Sequence, residues 1–331
     1  MTNHSRIEKP AIAVTRKLLP VVETRMAELF TASFNDSDTP MSHDALLAVM
    51  ANADVLVPTV TDNIDAALID AAPARLKLIA QFGAGVNNID LKAARARGIM
   101  VTNTPGVFTD DTADLTMALI LSVPRRLAEG QKLVRANDWT GWSPSGMLGH
   151  RVSGKRLGII GFGRIGEAVA RRARGFGMEI SYNKRKRLPP TLEEQLGITW
   201  EPDLDRLVSR SDIISLHCPL TRETNRLLNK DRIALMKPEA YLINTSRGEL
   251  VDDDALITAL EDKRIAGAGL DVYTQEPAVD PRLLTLANVV LIPHMGSATF
   301  EGRRASGERV ITNIRVWADG HRPPDQVLEE F

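Results

Sequence analysis

Cysteine is nearly missing: Cys218 is the single one in 331 residues. An intramolecular disulfide is therefore impossible, and a metal site, above all a cysteine-based zinc site, is not expected. A surplus of one charge is missing too, since 41 Lys and Arg stand against 42 Asp and Glu for a net charge of −1. That balance supplies no global attraction for nucleic acid or an anionic membrane; nucleic acid would need a local basic patch. No apolar run approaches the roughly 20 residues that cross a bilayer, Leu119 to Val123 falling far short. The N-terminus, MTNHSRIEKP, has no signal-peptide core. The absences point to a soluble protein of a reducing compartment, most simply the cytoplasm, with no nucleic-acid or membrane partner.

What is present is ordinary globular material, 44% hydrophobic and 25% charged. At roughly 150 residues per domain the length suggests two domains. Short apolar runs alternate with helix-like stretches. In the first half the runs are Ala11 to Val14, Asp54 to Thr59, Lys77 to Phe82 and Ile99 to Asn103. Pro20 to Phe30, His43 to Met50 and Leu91 to Arg97 read as helices between them. Continuous apolar strands joined by helices are the pattern of a parallel sheet covered on both faces. Asp110 to Arg126 reads as a long helix that Pro124 kinks or ends. The stretch from Arg135 to Val152 carries Trp139, Trp142 and three glycines and reads as an extended arm.

Six stronger strand signals follow: Arg156 to Gly161, Met178 to Asn183, Asp212 to Cys218, Tyr241 to Ser246, Ala266 to Val272 and Asn288 to His294. Six is the count of a full doubly wound dinucleotide domain. Thr299 to Gly320 reads as one long closing helix. Between the first strand of this half and its helix lies G-x-G-x-x-G at Gly161, Gly163 and Gly166. The spacing allows a tight turn, close approach of a pyrophosphate to the backbone, and close helix–strand packing. Free N–H groups around Arg164 and Ile165 would hold the phosphates. The next strand ends in Asn183, followed by Lys184, Arg185, Lys186 and Arg187, where an NAD enzyme usually carries an acidic residue. Cations without a carboxylate favour a 2′-phosphate and hence NADP(H); NAD(H), bound through Asn183 beside a solvated basic loop, is the alternative.

Three further strand ends are chemically loaded: Arg247 in NTSRGELVD, Asp271 and Glu276 in DVYTQEP, and His294 in IPHMGSAT. In a parallel sheet all three converge on the face that the glycine loop occupies. Arg247 offers a planar fork for a carboxylate. His294 can donate a proton to a ketone oxygen. Glu276 would orient the imidazole and favour its charged form. In the first half, Ala84 and Gly85 follow a strand directly, and small residues there expose N–H groups that can cradle a carboxylate.

These blocks, together with GAGVNNID, NTPGVFTDDTADLTMAL and SLHCPLTRET, resemble the D-2-hydroxyacid dehydrogenases, in particular the glyoxylate/hydroxypyruvate reductases, from about Val55 to Arg322. The resemblance implies an α/β protein of two doubly wound domains. A flavodoxin-like substrate domain would comprise 1–102 and 296–331, and an inserted Rossmann nucleotide-binding domain 103–295, with a dimerisation arm at about 125–152. It implies Arg247, Glu276 and His294 as the catalytic set and Ala84 and Gly85 as substrate contacts. It implies Asp271 at the nicotinamide, Thr245, Ser246 and Gly296 along the cofactor wall, and Cys218 and Pro219 beside the adenine. A homodimer is expected, with Trp139 or Trp142 directed at the partner. The chain stops soon after the closing helix, without room for the extra regulatory domain of many phosphoglycerate dehydrogenases. The activity implied is NAD(P)H-dependent reduction of a small 2-oxo acid, glyoxylate or hydroxypyruvate, to the D-2-hydroxy acid. Alternatives on the same scaffold are a phosphite or other D-2-hydroxyacid dehydrogenase and a nucleotide-sensing, corepressor-like binding protein.

Overall fold

The structure is a computed structural model and describes residues 8–328. Two compact units divide it, one formed by the chain up to Phe108 and the segment from Ala298 on, the other by Thr109–Ser297. The first crossing falls after Phe108 rather than after 102. Asn103 and Thr104 are still tied to the first unit, through Asn103 Nδ2 to the Ala84 carbonyl at 2.7 Å and Thr104 N–H to the Gly83 carbonyl at 2.9 Å.

The first unit runs β1 (Ala11–Val14), α1 (Pro20–Leu29), β2 (Thr31–Ser33), α2 (His43–Met50), β3 (Val55–Val57), α3 (Ala66–Ala71), β4 (Leu78–Ala80), α4 (Leu91–Ala96) and β5 (Met100–Thr102). Its parallel sheet has the order β2-β1-β3-β4-β5, the flavodoxin-like winding. The apolar runs Val55–Val57 and Leu78–Ala80 are buried on both faces, which is why they do not alternate with polar residues. Ser42, Asp65 and Asp90 cap α2, α3 and α4 by accepting backbone N–H groups in the first turn.

The second unit opens with α5 (Thr109–Ser122) and α6 (Leu127–Arg135). The helix expected over Asp110 to Arg126 ends at Ser122, ahead of Pro124, and a separate helix begins at Leu127. Pro124 follows the last turn of α5, and Arg126 enters the left-handed region at φ 54° before α6 begins. After the arm come β6 (Arg156–Ile160), α7 (Arg164–Gly175), β7 (Glu179–Asn183), α8 (Pro190–Leu196), β8 (Ile198–Trp200), α9 (Leu204–Arg210), β9 (Ile213–Leu216), α10 (Lys230–Ala234), β10 (Tyr241–Asn244), α11 (Asp253–Glu261), β11 (Gly267–Leu270), α12 (Pro281–Thr285) and β12 (Val289–Leu291). The sheet order is β12-β11-β10-β9-β6-β7-β8, all parallel, which is the Rossmann winding with one added strand. The closing helix α13 (Phe300–Ala318) packs on the first unit, where Val310, Ile311, Ile314 and Trp317 join its core.

Two strands escaped the sequence reading, Thr31–Ser33 and Ile198–Trp200. Each has three residues and lies at a sheet edge with a partly exposed face, so neither needs the apolar run that marks a central strand. Among the described residues no helix is long and apolar enough to cross a membrane, and no group of three or more His, Cys, Asp or Glu could hold a metal ion.

Candidate active site

The glycine loop begins where β6 ends. Gly161 has φ +90°, and a Cβ there would lie 2.3 Å from the Cys218 nitrogen. Any side chain would force apart the loops after β6 and β9, and the left-handed conformation also favours glycine. A Cβ on Gly166 would lie 2.5 Å from the Gly161 carbonyl oxygen, so α7 packs flush on the turn. Gly163 differs: it caps α7 without a side-chain bond, and a Cβ there would meet nothing within 4 Å. The first N–H groups of α7, at Arg164, Ile165 and Gly166, have no intrahelical acceptor by helix geometry. Open space in front of those donors, with the positive helix end behind them, fits a dinucleotide pyrophosphate.

The end of β7 is organised differently from the sequence expectation. The Asn183 side-chain amide donates to the carbonyls of Glu201 at 2.9 Å and Pro202 at 3.1 Å, which leaves only its Oδ1 for a ligand. The basic run also divides. Arg187 pairs with Glu193 at 2.7 Å and lies over the Trp200 ring at 5.5 Å, and this pairing, more than any other influence, holds the Glu193 carboxyl below its ordinary range. Lys184, Arg185 and Lys186 form no ion pair among the described residues. The Glu223 carboxyl is held low first by the Thr221 hydroxyl and, to a lesser degree, by the nearby charges of Arg185 and Arg222.

Next to the glycine loop, Cys218 is buried and burial pushes its thiol up to about 11, so it is not a thiolate near neutrality. Its carbonyl accepts the Ser246 hydroxyl at 2.7 Å, and the Pro219 carbonyl accepts the Thr224 hydroxyl at 2.7 Å. Burial pushes His217 down to about 3, and its Nε2 lies 2.8 Å from the Ser215 hydroxyl: a neutral structural imidazole.

Arg247, Glu276 and His294 follow three neighbouring strands, β10, β11 and β12. Asn244, buried at the end of β10, shapes the first of these turns. Its Oδ1 accepts the Ser246 N–H at 3.0 Å and its Nδ2 donates to the Arg247 carbonyl at 2.8 Å. Thr245 turns inward, its hydroxyl 2.9 Å from that of Thr116. Arg247 spends one guanidinium nitrogen on the Ser246 carbonyl at 2.6 Å. Burial lowers its pKa, with the charges of Glu249 and Glu276 opposing, and an arginine so shifted still remains a cation.

His294 Nδ1 and Glu276 Oε2 are 2.6 Å apart, with each side chain 33% exposed. Burial pushes the Glu276 carboxyl up, but contact with His294, the Tyr273 N–H and the charge of Arg247 outweigh it and hold the group below its ordinary value. Glu276 is therefore coupled electrostatically to both His294 and Arg247. His294 Nε2 has no partner among the described residues.

Asp271 is only 1% exposed. Its carboxylate accepts the N–H groups of Met295 at 2.6 Å and Gly296 at 2.8 Å, and its carbonyl accepts that of His294 at 2.9 Å. Burial raises its pKa despite these donors. In this structure Asp271 thus clamps the loop that carries His294. Gly296 is itself buried, and its carbonyl accepts the Thr112 hydroxyl at 3.0 Å. Thr112 and Thr116 were missed in the sequence; the available signal was a pair of hydroxyls four apart on the buried face of α5.

In the first unit, the Ala84 carbonyl accepts Asn103 Nδ2 at 2.7 Å and the Gly85 carbonyl accepts Gln81 Nε2 at 3.2 Å. The N–H groups of Ala84 and Gly85 have no acceptor among the described residues and remain available as donors. In the second unit, α6 buries none of its residues, and in the arm beyond it Trp139 is 60% and Trp142 83% exposed.

Comparison with known proteins bears on this geometry. A family model described as the D-isomer specific 2-hydroxyacid dehydrogenase NAD binding domain matches residues 117–296. The chain is 47% identical over 328 residues to the glyoxylate reductase of Thermococcus litoralis, covering 97% of this chain and 98% of that protein. A solved protein of Thermus thermophilus superposes with a TM-score of 0.89 at 42% identity, over 96% of this chain and 100% of its own. The NADPH-dependent glyoxylate/hydroxypyruvate reductase of Sinorhizobium meliloti, solved with NADP and malonate, gives a TM-score of 0.85 at 34% identity over 96% of this chain and 97% of its own. The chain belongs to the D-isomer specific 2-hydroxyacid dehydrogenases and is an NAD(P)-dependent oxidoreductase.

Proposed function

We propose that this enzyme reduces a small 2-oxo acid, glyoxylate or hydroxypyruvate, to the D-2-hydroxy acid, with NADPH preferred and NADH possible. The observation that carries the reading is the 2.6 Å contact between His294 Nδ1 and Glu276 Oε2 beside the Arg247 cation. When bound, the reduced nicotinamide supplies the hydride to the carbonyl carbon. The residues of the chain do the rest. Arg247 pairs with the substrate carboxylate and polarises the adjacent carbonyl. From the family resemblance Ala84 and Gly85 are carried over as substrate contacts, through their N–H groups. His294, oriented at Nδ1 by Glu276, gives the proton on Nε2 to the carbonyl oxygen and takes it back in the oxidation. Asp271 holds the backbone of this loop still. Thr245, Ser246, Cys218, Pro219 and Gly296 line the cofactor wall, and Gly161, Gly163, Arg164, Ile165 and Gly166 hold the pyrophosphate.

The preference for NADPH rests on Lys184 and Arg185, which form no ion pair among the described residues and follow a strand that ends in Asn183 instead of a carboxylate. The names of similar proteins, glyoxylate reductase and NADPH-dependent glyoxylate/hydroxypyruvate reductase, support the choice of substrate and cofactor. We also propose a cytoplasmic homodimer built through the arm, because its exposed tryptophans are costly to leave in water and suit an interface. The test is a panel of 2-oxo acids, with oxidation of NADH and NADPH followed separately by absorbance. Turnover of glyoxylate or hydroxypyruvate with NADPH is expected. Silence on every 2-oxo acid with both cofactors would refute the reading.

A further inference from the structure

We propose that Tyr273 is a positioning residue that holds the segments of Arg247, Glu276 and His294 in mutual register; the proposal rests on the assignment of those three to 2-oxo acid reduction. Tyr273 follows β11, three residues before Glu276, and its backbone N–H donates to Glu276 Oε1 at 3.1 Å. Its hydroxyl donates to the Ile292 carbonyl at 2.9 Å, with the Leu270 carbonyl a more distant acceptor at 3.3 Å. Its backbone also lies against Gly248, the residue after Arg247: a Cβ on Gly248 would be 2.1 Å from the Tyr273 carbonyl carbon. One residue therefore touches the chain at or beside each member of the set.

The hydroxyl contact is the informative one. The Ile292 carbonyl also accepts the His294 N–H at 3.1 Å, so Ile292, Pro293 and His294 close a three-residue turn. His294 has φ 47° in that turn, a conformation that non-glycine residues seldom adopt without surrounding support. The bond from His294 moves with the turn and cannot anchor it. The bond from Tyr273 comes from outside the turn and fixes the Ile292 carbonyl. It acts beside the Leu270 carbonyl, which holds the Ile292 N–H, and the Asp271 clamp on His294, Met295 and Gly296. Burial, and to a lesser degree the charges of Asp271 and Glu276, push the phenol up to about 12, so it stays a neutral donor and takes no part in proton transfer. A phenylalanine would fill the same space and lack only the bond to the Ile292 carbonyl.

The test is Tyr273→Phe in the full-length enzyme beside the wild type. A small shift of the imidazole should cost kcat about tenfold, with KM for the 2-oxo acid and for the reduced cofactor each within about twofold. The melting temperature should stay close to wild type, because the ring is kept. An unchanged kcat overturns the proposal. So does a loss shared between kcat and KM with a fall of several degrees in melting temperature, the signature of general loosening. A wild type inactive on every 2-oxo acid removes the functional reading and this inference together; an active wild type with an indifferent Tyr273→Phe removes the inference alone.

Discussion

Replacing Glu276 by Gln removes one charge and keeps the shape of the side chain. The amide can still accept a hydrogen bond from His294 Nδ1, so what disappears is the negative charge that supports the imidazolium. A hydrogen bond involving a charged group contributes about 1.5–3 kcal/mol. Both side chains are one-third exposed, so solvent screening argues for the lower end, about 1.5 kcal/mol. At about 1.4 kcal/mol per decade this is roughly a tenfold fall in kcat/KM for reduction. The pH dependence has a definite sign. Against burial, His294, the Tyr273 N–H and Arg247 hold the Glu276 carboxyl below its ordinary value. A carboxylate held low contributes its stabilisation above its unfolded pKa and loses it as pH falls through the folded one. The wild type should therefore lose activity and stability on the acid side as Glu276 protonates, and the glutamine variant should lack that step. Steady-state reduction rates across pH at saturating NADPH, with cofactor binding followed by fluorescence, would measure both effects. A variant within twofold of wild type at every pH, or one that keeps the acid-side step, would refute the reasoning.

His294→Ala removes the proton donor; turnover should fall by about a thousandfold or more, while NADPH binding measured by fluorescence stays near wild type. Arg247→Ala should raise substrate KM and lower kcat together, because the carboxylate clamp acts in ground and transition states alike; steady-state kinetics with neither parameter changed would remove it from the site. The double change Lys184→Ala with Arg185→Ala should raise KM for NADPH by about tenfold or more and leave KM for NADH nearly unaltered; equal effects on both would show a solvated basic loop. Gly161→Ala must place a Cβ 2.3 Å from the Cys218 nitrogen at φ +90°. Strain and overpacking together should cost about 3 kcal/mol, seen as a clear drop in melting temperature.

Much of the architecture was legible because its causes are local. A buried parallel strand must be an apolar run, and Val55–Val57, Ile213–Leu216 and Tyr241–Asn244 announce themselves that way. A turn between a strand and a dinucleotide helix needs its glycines at fixed spacing. Arg247, Glu276 and His294 each stand just past such a strand, so their shared face follows from topology alone. The edge strands Thr31–Ser33 and Ile198–Trp200 were illegible because an edge is held by backbone pairing, which leaves little trace in side-chain type.

The division lies between what neighbours along the chain dictate and what register decides. The amino-acid order by itself determined the central parallel strands of both sheets, the glycine loop, and the identity of the charged residues at the strand ends. Only the tertiary structure decided that the Asn183 amide is consumed by the carbonyls of Glu201 and Pro202. It alone decided that the Asp271 carboxylate closes on Met295 and Gly296, and that the Tyr273 hydroxyl reaches Ile292. Those partners lie 18 to 25 residues apart in sequence. A hydrogen bond forms within a few tenths of an ångström or not at all, and over that span only the packed sheet sets the distance.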